Sequence, residues 1–227
     1  MNWFWGAAAA LAAMAAAGSA NASDVKAPKK SKGREELDRL LQLAPLDHTQ
    51  RQFFRFVAWG ESRWKSGALN DTPSEAKAAA RSYERHADYY STCGYPRASW
   101  VYGSAGWFQI LAPVGLWQIR KTEFACAWDP ATYLFDPAKS LTVAIELARN
   151  LQGWAGFKAN PTVGNLRRGW GWPAKMGSGV PGPDKRAKYA AQLRKSGVAK
   201  ESFLDTPIAR MPGDPASIYR VLAGAVA

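Results

Sequence analysis

The sequence predicts a mainly α-helical domain with little β-structure. Three observations carry that prediction. Apolar residues recur at helical spacing in several segments: Leu37, Leu40 and Leu41, then Phe53, Val57 and Gly60, then Leu141, Ala144, Ile145, Ala148 and Leu151. Capping residues and prolines mark helix starts at Asp47, at Thr72-Pro73 and at Asp136-Pro137. Strand-type alternation is scarce, and no internal repeat is present.

Taken in order, residues 1–22 carry no charged side chain, and Trp3 to Ala17 is mostly apolar and alanine-rich. Ala20-Asn21-Ala22 fits a small-x-small cleavage site with a cut before Ser23, so the segment reads as a signal peptide. An uncleaved weak anchor and the buried start of a virion protein are the alternatives. Ser23 to Gly33 is rich in Lys, Pro and Ser and reads as a flexible basic linker. Arg34 to Leu43 is a short amphipathic helix, and the helix capped by Asp47 runs to about Ser62, with Phe54 and Phe56 beside its apolar face. Thr72-Pro73-Ser74-Glu75 opens a helix expected to reach Tyr89 or Tyr90, and Ser91 to Tyr102 is a loop or short hairpin leading into Gly103. The helix from Pro137 continues to about Leu151 and stops at Gly153. Pro161–Arg168 and Pro183–Ser196 are further helices, the latter ended by Gly197. The expected organisation is thus a leader over 1–22, a linker over 23–33, one domain over 34–197 and a loosely packed tail over 198–227, with a last helix from Pro215 to Val226.

Composition narrows the partners. The 227 residues hold 30 Lys and Arg against 18 Asp and Glu, a formal net charge of +12. Such a balance favours an anionic polymer, either nucleic acid or bacterial wall. The cations are dispersed and no nucleic-acid-binding motif occurs, so no nucleic acid is expected. Eleven Trp and eight Tyr supply flat faces for sugars or bases, or simply core. Cys93 and Cys126 are the two cysteines: one disulfide in an exported chain, or two buried thiols in a cytosolic one. They lack metal spacing, and His48 and His86 are isolated, so neither a metal nor another cofactor is expected.

The segments with most chemistry are Glu61-Ser62-Arg63-Trp64 and Gly103-Ser104-Ala105-Gly106-Trp107-Phe108-Gln109-Ile110-Leu111-Ala112-Pro113. Glu61 falls at the C-terminal end of its helix, where the helix dipole disfavours a carboxylate, and Trp59 and Trp64 are near in sequence. Both effects favour the protonated form that a general acid needs. The two segments together resemble the soluble lytic transglycosylase and goose-type lysozyme group, which cleaves the glycan strands of peptidoglycan. The resemblance spans roughly residues 50 to 196, with Trp107-Phe108 standing where Leu-Met is usual. It implies a mainly α, lysozyme-like fold with a small β-hairpin or irregular β segment beside an active-site cleft.

The resemblance also implies roles. Glu61 is the general acid/base, Ser62 a hydrogen-bonding support, and Gln109 and Phe108 part of the sugar-contacting segment. The plainer readings are a helix-terminal hydroxyl for Ser62 and a turn-stabilising amide for Gln109. Leu134-Phe135-Asp136-Pro137 is similar to the family segment packed behind the active site, with Asp136 as a cap rather than an acid. Pro183 to Tyr189 is similar to a late family segment whose Tyr reaches the catalytic Glu, so Tyr189 is a candidate contact to Glu61 or substrate, or else a core tyrosine. Where the family has an Ala-Tyr-Asn-Ala-Gly-like motif, this chain reads Asn165 to Pro173, and Trp170 takes the aromatic place. The long segment between Glu61 and Gly106 is expected to roof the groove, pinned by Cys93–Cys126.

Two outcomes of glycan cleavage stay open. In the lytic route the substrate's own 6-hydroxyl attacks the anomeric carbon and leaves a 1,6-anhydromuramoyl end. An inverting hydrolase, such as a muramidase or phage endolysin, needs a second carboxylate, for which Asp71 or Asp88 is available unless they merely cap or are solvated. A rival of another class is a non-catalytic glycan- or nucleic-acid-binding module on the same fold. The expected partners are peptidoglycan strands and anionic wall polymers. The expected location is periplasmic or secreted, in wall remodelling, beside an envelope-spanning machine, or as a phage component.

Overall fold

The computed structural model describes residues 32–97, 100–166, 170, 186–197, 199–211 and 218. The leader, nearly all of the linker, the stretch 171–185 and the expected last helix except Ile218 lie outside the described residues. The fold is mainly α, with one small antiparallel sheet. It divides into two compact units, the first Met1–Pro45 with Glu61–Leu147, the second Leu46–Gly60 with Ala148–Ala227. Among the described residues no helix is long and apolar enough to cross a membrane.

The first unit opens with α1 (Lys32–Leu43), which starts two residues earlier than expected and buries Leu37, Leu40 and Leu41. It then takes up the end of α2 (His48–Ser62), whose start belongs to the second unit. Strand β1 (Leu69–Asn70) follows, then α3 (Pro73–Arg85) and α4 (Ala87–Thr92). The expected single helix is broken at His86, whose φ of −129° is not helical. The side chain of Thr72 makes no cap bond, although Pro73 opens the helix as expected. Strands β2 (Ser104–Ala105) and β3 (Ile110–Leu111) form a hairpin, and α5 (Ala112–Ile119) leaves it directly. The sheet order is β1-β2-β3, with Leu69 opposite Ala105 and Ala105 opposite Ile110. Helix α3 packs against α5 and against both hairpin strands. A 3-10 turn over Tyr133–Phe135 leads into α6 (Pro137–Asn150).

Buried tyrosines tie this unit together. The Tyr90 hydroxyl donates to the Pro113 carbonyl at 2.7 Å, and that of Tyr133 to the Ala112 carbonyl at 2.7 Å. Burial pushes both hydroxyls well above their ordinary pKa, so both remain neutral donors. Cys93 and Cys126 are bonded, with Cα atoms 4.9 Å apart.

In the second unit, α2 is opened by reciprocal bonds: Gln50 N donates to Asp47 Oδ1 at 2.8 Å, and Asp47 N to Gln50 Oε1 at 3.0 Å. After α6 the chain does not stop at Gly153. Leu151 is extended instead, and α7 (Gln152–Ala159) begins at the next residue. The helix expected over Pro161–Arg168 is a 3-10 turn at Val163–Asn165, with 167–169 outside the described residues. Helix α8 (Arg186–Ser196) buries Tyr189, Ala190 and Leu193, and Gly197 follows it at a φ of +65°. The core is aromatic: Phe53 lies 4.6 Å from Phe157, and Trp170 packs edge-on to Phe53 and Phe54. The segment after Gly197 is anchored, since Ile208 N donates to Pro161 O at 2.9 Å and Val163 N to Thr206 O at 3.1 Å.

Candidate active site

Glu61 is the penultimate residue of α2 and is half-buried. Ser62 ends the helix, is 7% exposed, and its carbonyl accepts Lys65 N at 3.2 Å. The chain then turns through Arg63 at a φ of 54° and Trp64 at 60°. Two consecutive non-glycine residues in the left-handed region cost about 1 kcal/mol or more each, so the surroundings must hold them there. Trp107 Nε1 donates to Trp64 O at 3.0 Å from 43 residues away. The Arg34 guanidinium lies 5.1 Å over the Trp64 ring. At Gly33 a Cβ would stand 2.1 Å from Trp64 O, so only glycine lets α1 approach this carbonyl.

The hairpin is fixed to the same stretch. Gly106 N donates to Ala68 O at 2.9 Å, and the β1–β2 pairing begins one residue later at Leu69. Gln109 has a φ of 49°. Its amide Nε2 donates to Gly106 O at 3.0 Å and to Ala68 O at 3.3 Å, while its Oε1 faces Ser104 Oγ at 3.5 Å. Gly106 itself has a φ of +74°, and a Cβ there would lie 2.2 Å from Leu134 O. The Leu134–Pro137 segment therefore backs the hairpin turn. Tyr102, just before the hairpin, donates its hydroxyl to Ala131 O at 3.0 Å, and burial pushes its pKa to about 12.

The structure thus brings Glu61-Ser62-Arg63-Trp64 and the Gly103–Pro113 segment into one hydrogen-bonded assembly. Within it Gln109 is a turn-holding amide. Phe108 is 0% exposed and sits edge-on to Trp107, 6.5 Å between centroids, so it serves the core and offers no surface to a sugar. Tyr189 and Trp170 belong to the second unit, at 9% and 5% exposed. Asp136 caps α6, accepting Lys139 N at 3.0 Å. Asp71 and Asp88 are both exposed, and Asp71 directly follows β1. Among the described residues no group of three or more His, Cys, Asp or Glu could hold a metal ion.

Sequence reasoning missed the roles of Trp64 and Trp107. A fully buried Trp carries one N–H that must find an acceptor, and an irregular turn offers one, but neither the burial of Trp107 nor the turn at Trp64 is written in the local sequence. Comparison of the chain with protein-family models, with curated proteins and with solved structures finds no match. The functional reading is carried by the residues of the site.

Proposed function

We propose that this chain is a peptidoglycan lytic transglycosylase with Glu61 as general acid/base. One observation supports the reading above the others. A half-buried carboxylate stands one residue before the end of a helix, and the strained turn that follows the helix is pinned to a hairpin whose Gln109 is also held at positive φ. Backbone strain of this kind is kept where position matters more than stability.

In the proposed reaction Glu61 protonates the glycosidic oxygen as the bond between the muramic-acid anomeric carbon and that oxygen breaks. The 6-hydroxyl of the same sugar then bonds to the anomeric carbon, and its proton returns to the Glu61 carboxylate. The products are a glucosamine-ended strand and a 1,6-anhydromuramoyl end, with no water consumed and no cofactor used. Ser62 supports Glu61, and Gln109 fixes the hairpin that borders the substrate. A hydrolytic lysozyme is the second reading, favoured by the exposed carboxylate of Asp71 at the end of β1. The Cys93–Cys126 bridge supports a periplasmic or secreted location.

The test is mass spectrometry of sugars released from purified peptidoglycan. Anhydro-ended muropeptides are expected from the chain, with release lowered about a hundredfold or more in Glu61→Gln. Reducing ends lost in Asp71→Asn select the hydrolase. No release by the unaltered chain defeats both readings.

A further inference from the structure

Helix α3 and the segment after α5 carry cations that have no acidic partner among the described residues. Lys77, Arg81 and Arg85 are all exposed and stand four residues apart, so they form one stripe along α3 with about 6 Å of rise between neighbours. Arg120 and Lys121 follow α5, which packs against α3. Among the described residues none of these five cations makes an ion pair. The acid on the same face of α3, Glu84, is engaged by Arg97 at 3.3 Å. Asp88 and Glu123, exposed on adjoining segments, pair with none of the five.

Arg120 is held ready for a ligand. Its guanidinium lies 3.8 Å from the centre of the Trp117 ring, and Nη1 donates to Trp117 O at 2.6 Å. The His86 ring stacks on Trp117 at 3.6 Å, with the planes 4° apart. Two flat groups so close to one ring centre cannot share a face, so His86 and Arg120 cover opposite faces of Trp117. The fork of Arg120 is fixed by this stack while, among the described residues, most of its N–H donors have no protein acceptor, the arrangement that suits an oxyanion.

We propose that the surface formed by Lys77, Arg81, Arg85, Arg120 and Lys121 binds a linear wall polymer of repeated, non-aromatic phosphodiesters, of the polyol-phosphate type. A row of unpaired cations matches a row of anions. Trp117 has both faces occupied and offers no platform on which a base can stack, which sets the surface apart from single-strand nucleic-acid sites. The Cys93–Cys126 bridge joins the loop after α4 to the loop after α5 and belongs to an oxidising compartment. This inference does not rest on glycan cleavage: no residue of the surface lies in the candidate active site.

The test is equilibrium binding of the full chain to poly(glycerol phosphate) across a salt series, with no glycan present. Arg81→Glu with Arg85→Glu is compared with Lys188→Glu and Lys195→Glu, an equal charge change at exposed residues of α8. The first pair is expected to weaken binding about tenfold or more near 0.1 M salt, and the second about threefold at most. Arg81→Ala with Arg85→Ala, which adds no acid, is expected to fall between, and it reads the same surface if the reversal disturbs folding. Equal losses in the two reversed pairs overturn the proposal, because bulk charge then explains binding. Absence of binding overturns it too, and so does tighter binding to duplex DNA of matched charge.

Discussion

In the first unit, Trp107 and Gln109 donate to the main-chain carbonyls of Trp64 and Ala68, whereas in the second Phe53, Phe54, Phe157 and Trp170 pack ring against ring. The contacts differ in what they specify. Apolar packing lowers free energy in proportion to buried area and tolerates small displacements. A hydrogen bond to a carbonyl fixes a position within a few tenths of an ångström. The first unit must place a short irregular turn that its own backbone resists, so it spends polar side chains on that turn. The second has regular helices to join, and it adds exposed ion pairs such as Arg194–Glu201 at 2.6 Å, which contribute little.

The contrast yields an ordered set of tests. Phe53→Ala should cost the most, about 3–5 kcal/mol, by opening a cavity in the aromatic core. Hydrogen exchange should place the first loss of protection in 157–166 and 186–208, and early loss in 64–113 instead would erase the contrast. Gly106→Ala is next, at about 2–3 kcal/mol, since it forces both a positive φ and a clash with Leu134 O. Thermal unfolding reads that value, and a change within experimental error contradicts the close approach. Trp107→Phe removes the N–H donor and leaves a small cavity where the second ring of the buried indole stood, for about 2 kcal/mol. If the Trp64 turn has the proposed role, glycan release should fall further than this loss of stability accounts for.

The smallest effect is a pH dependence. Burial, reinforced by the charges of Arg85 and then Arg120, holds the His86 imidazole below its ordinary pKa. The unfolded chain therefore binds the proton more readily than the fold does. The stability His86 contributes is present above about pH 6.5 and is lost as the pH falls below that value towards the folded pKa. In His86→Phe the melting temperature should fall less between pH 7 and 5 than in the unaltered chain. Parallel curves would mean that the imidazole titrates no differently once folded.

Features set by near neighbours in sequence were legible. Asp47 capping α2, Pro73 opening α3 and Asp136 capping α6 are read within a few residues of where they act. The break at His86 was not, because its ring packs on Trp117, far along the chain, and no glycine or proline marks it. Helix α7 was hidden by Gly153, which reads as a stop although the interruption falls at Leu151. For the site, the two motifs were visible as text but their joining was not, since it depends on a Trp107 hydrogen bond spanning 43 residues. The left-handed turn at Arg63 and Trp64 has no local signature, because neither residue prefers that conformation.

The Cys93–Cys126 bridge encloses β2, the turn at Gln109, β3 and the whole of α5. A protease that cuts once anywhere between these cysteines therefore releases nothing. The two fragments stay tethered, and the severed hairpin keeps its partners on both sides. Such a chain would migrate as one band on a denaturing gel until a reductant is added. A protein working among extracellular proteases would thus carry its hairpin on a backbone that survives being nicked.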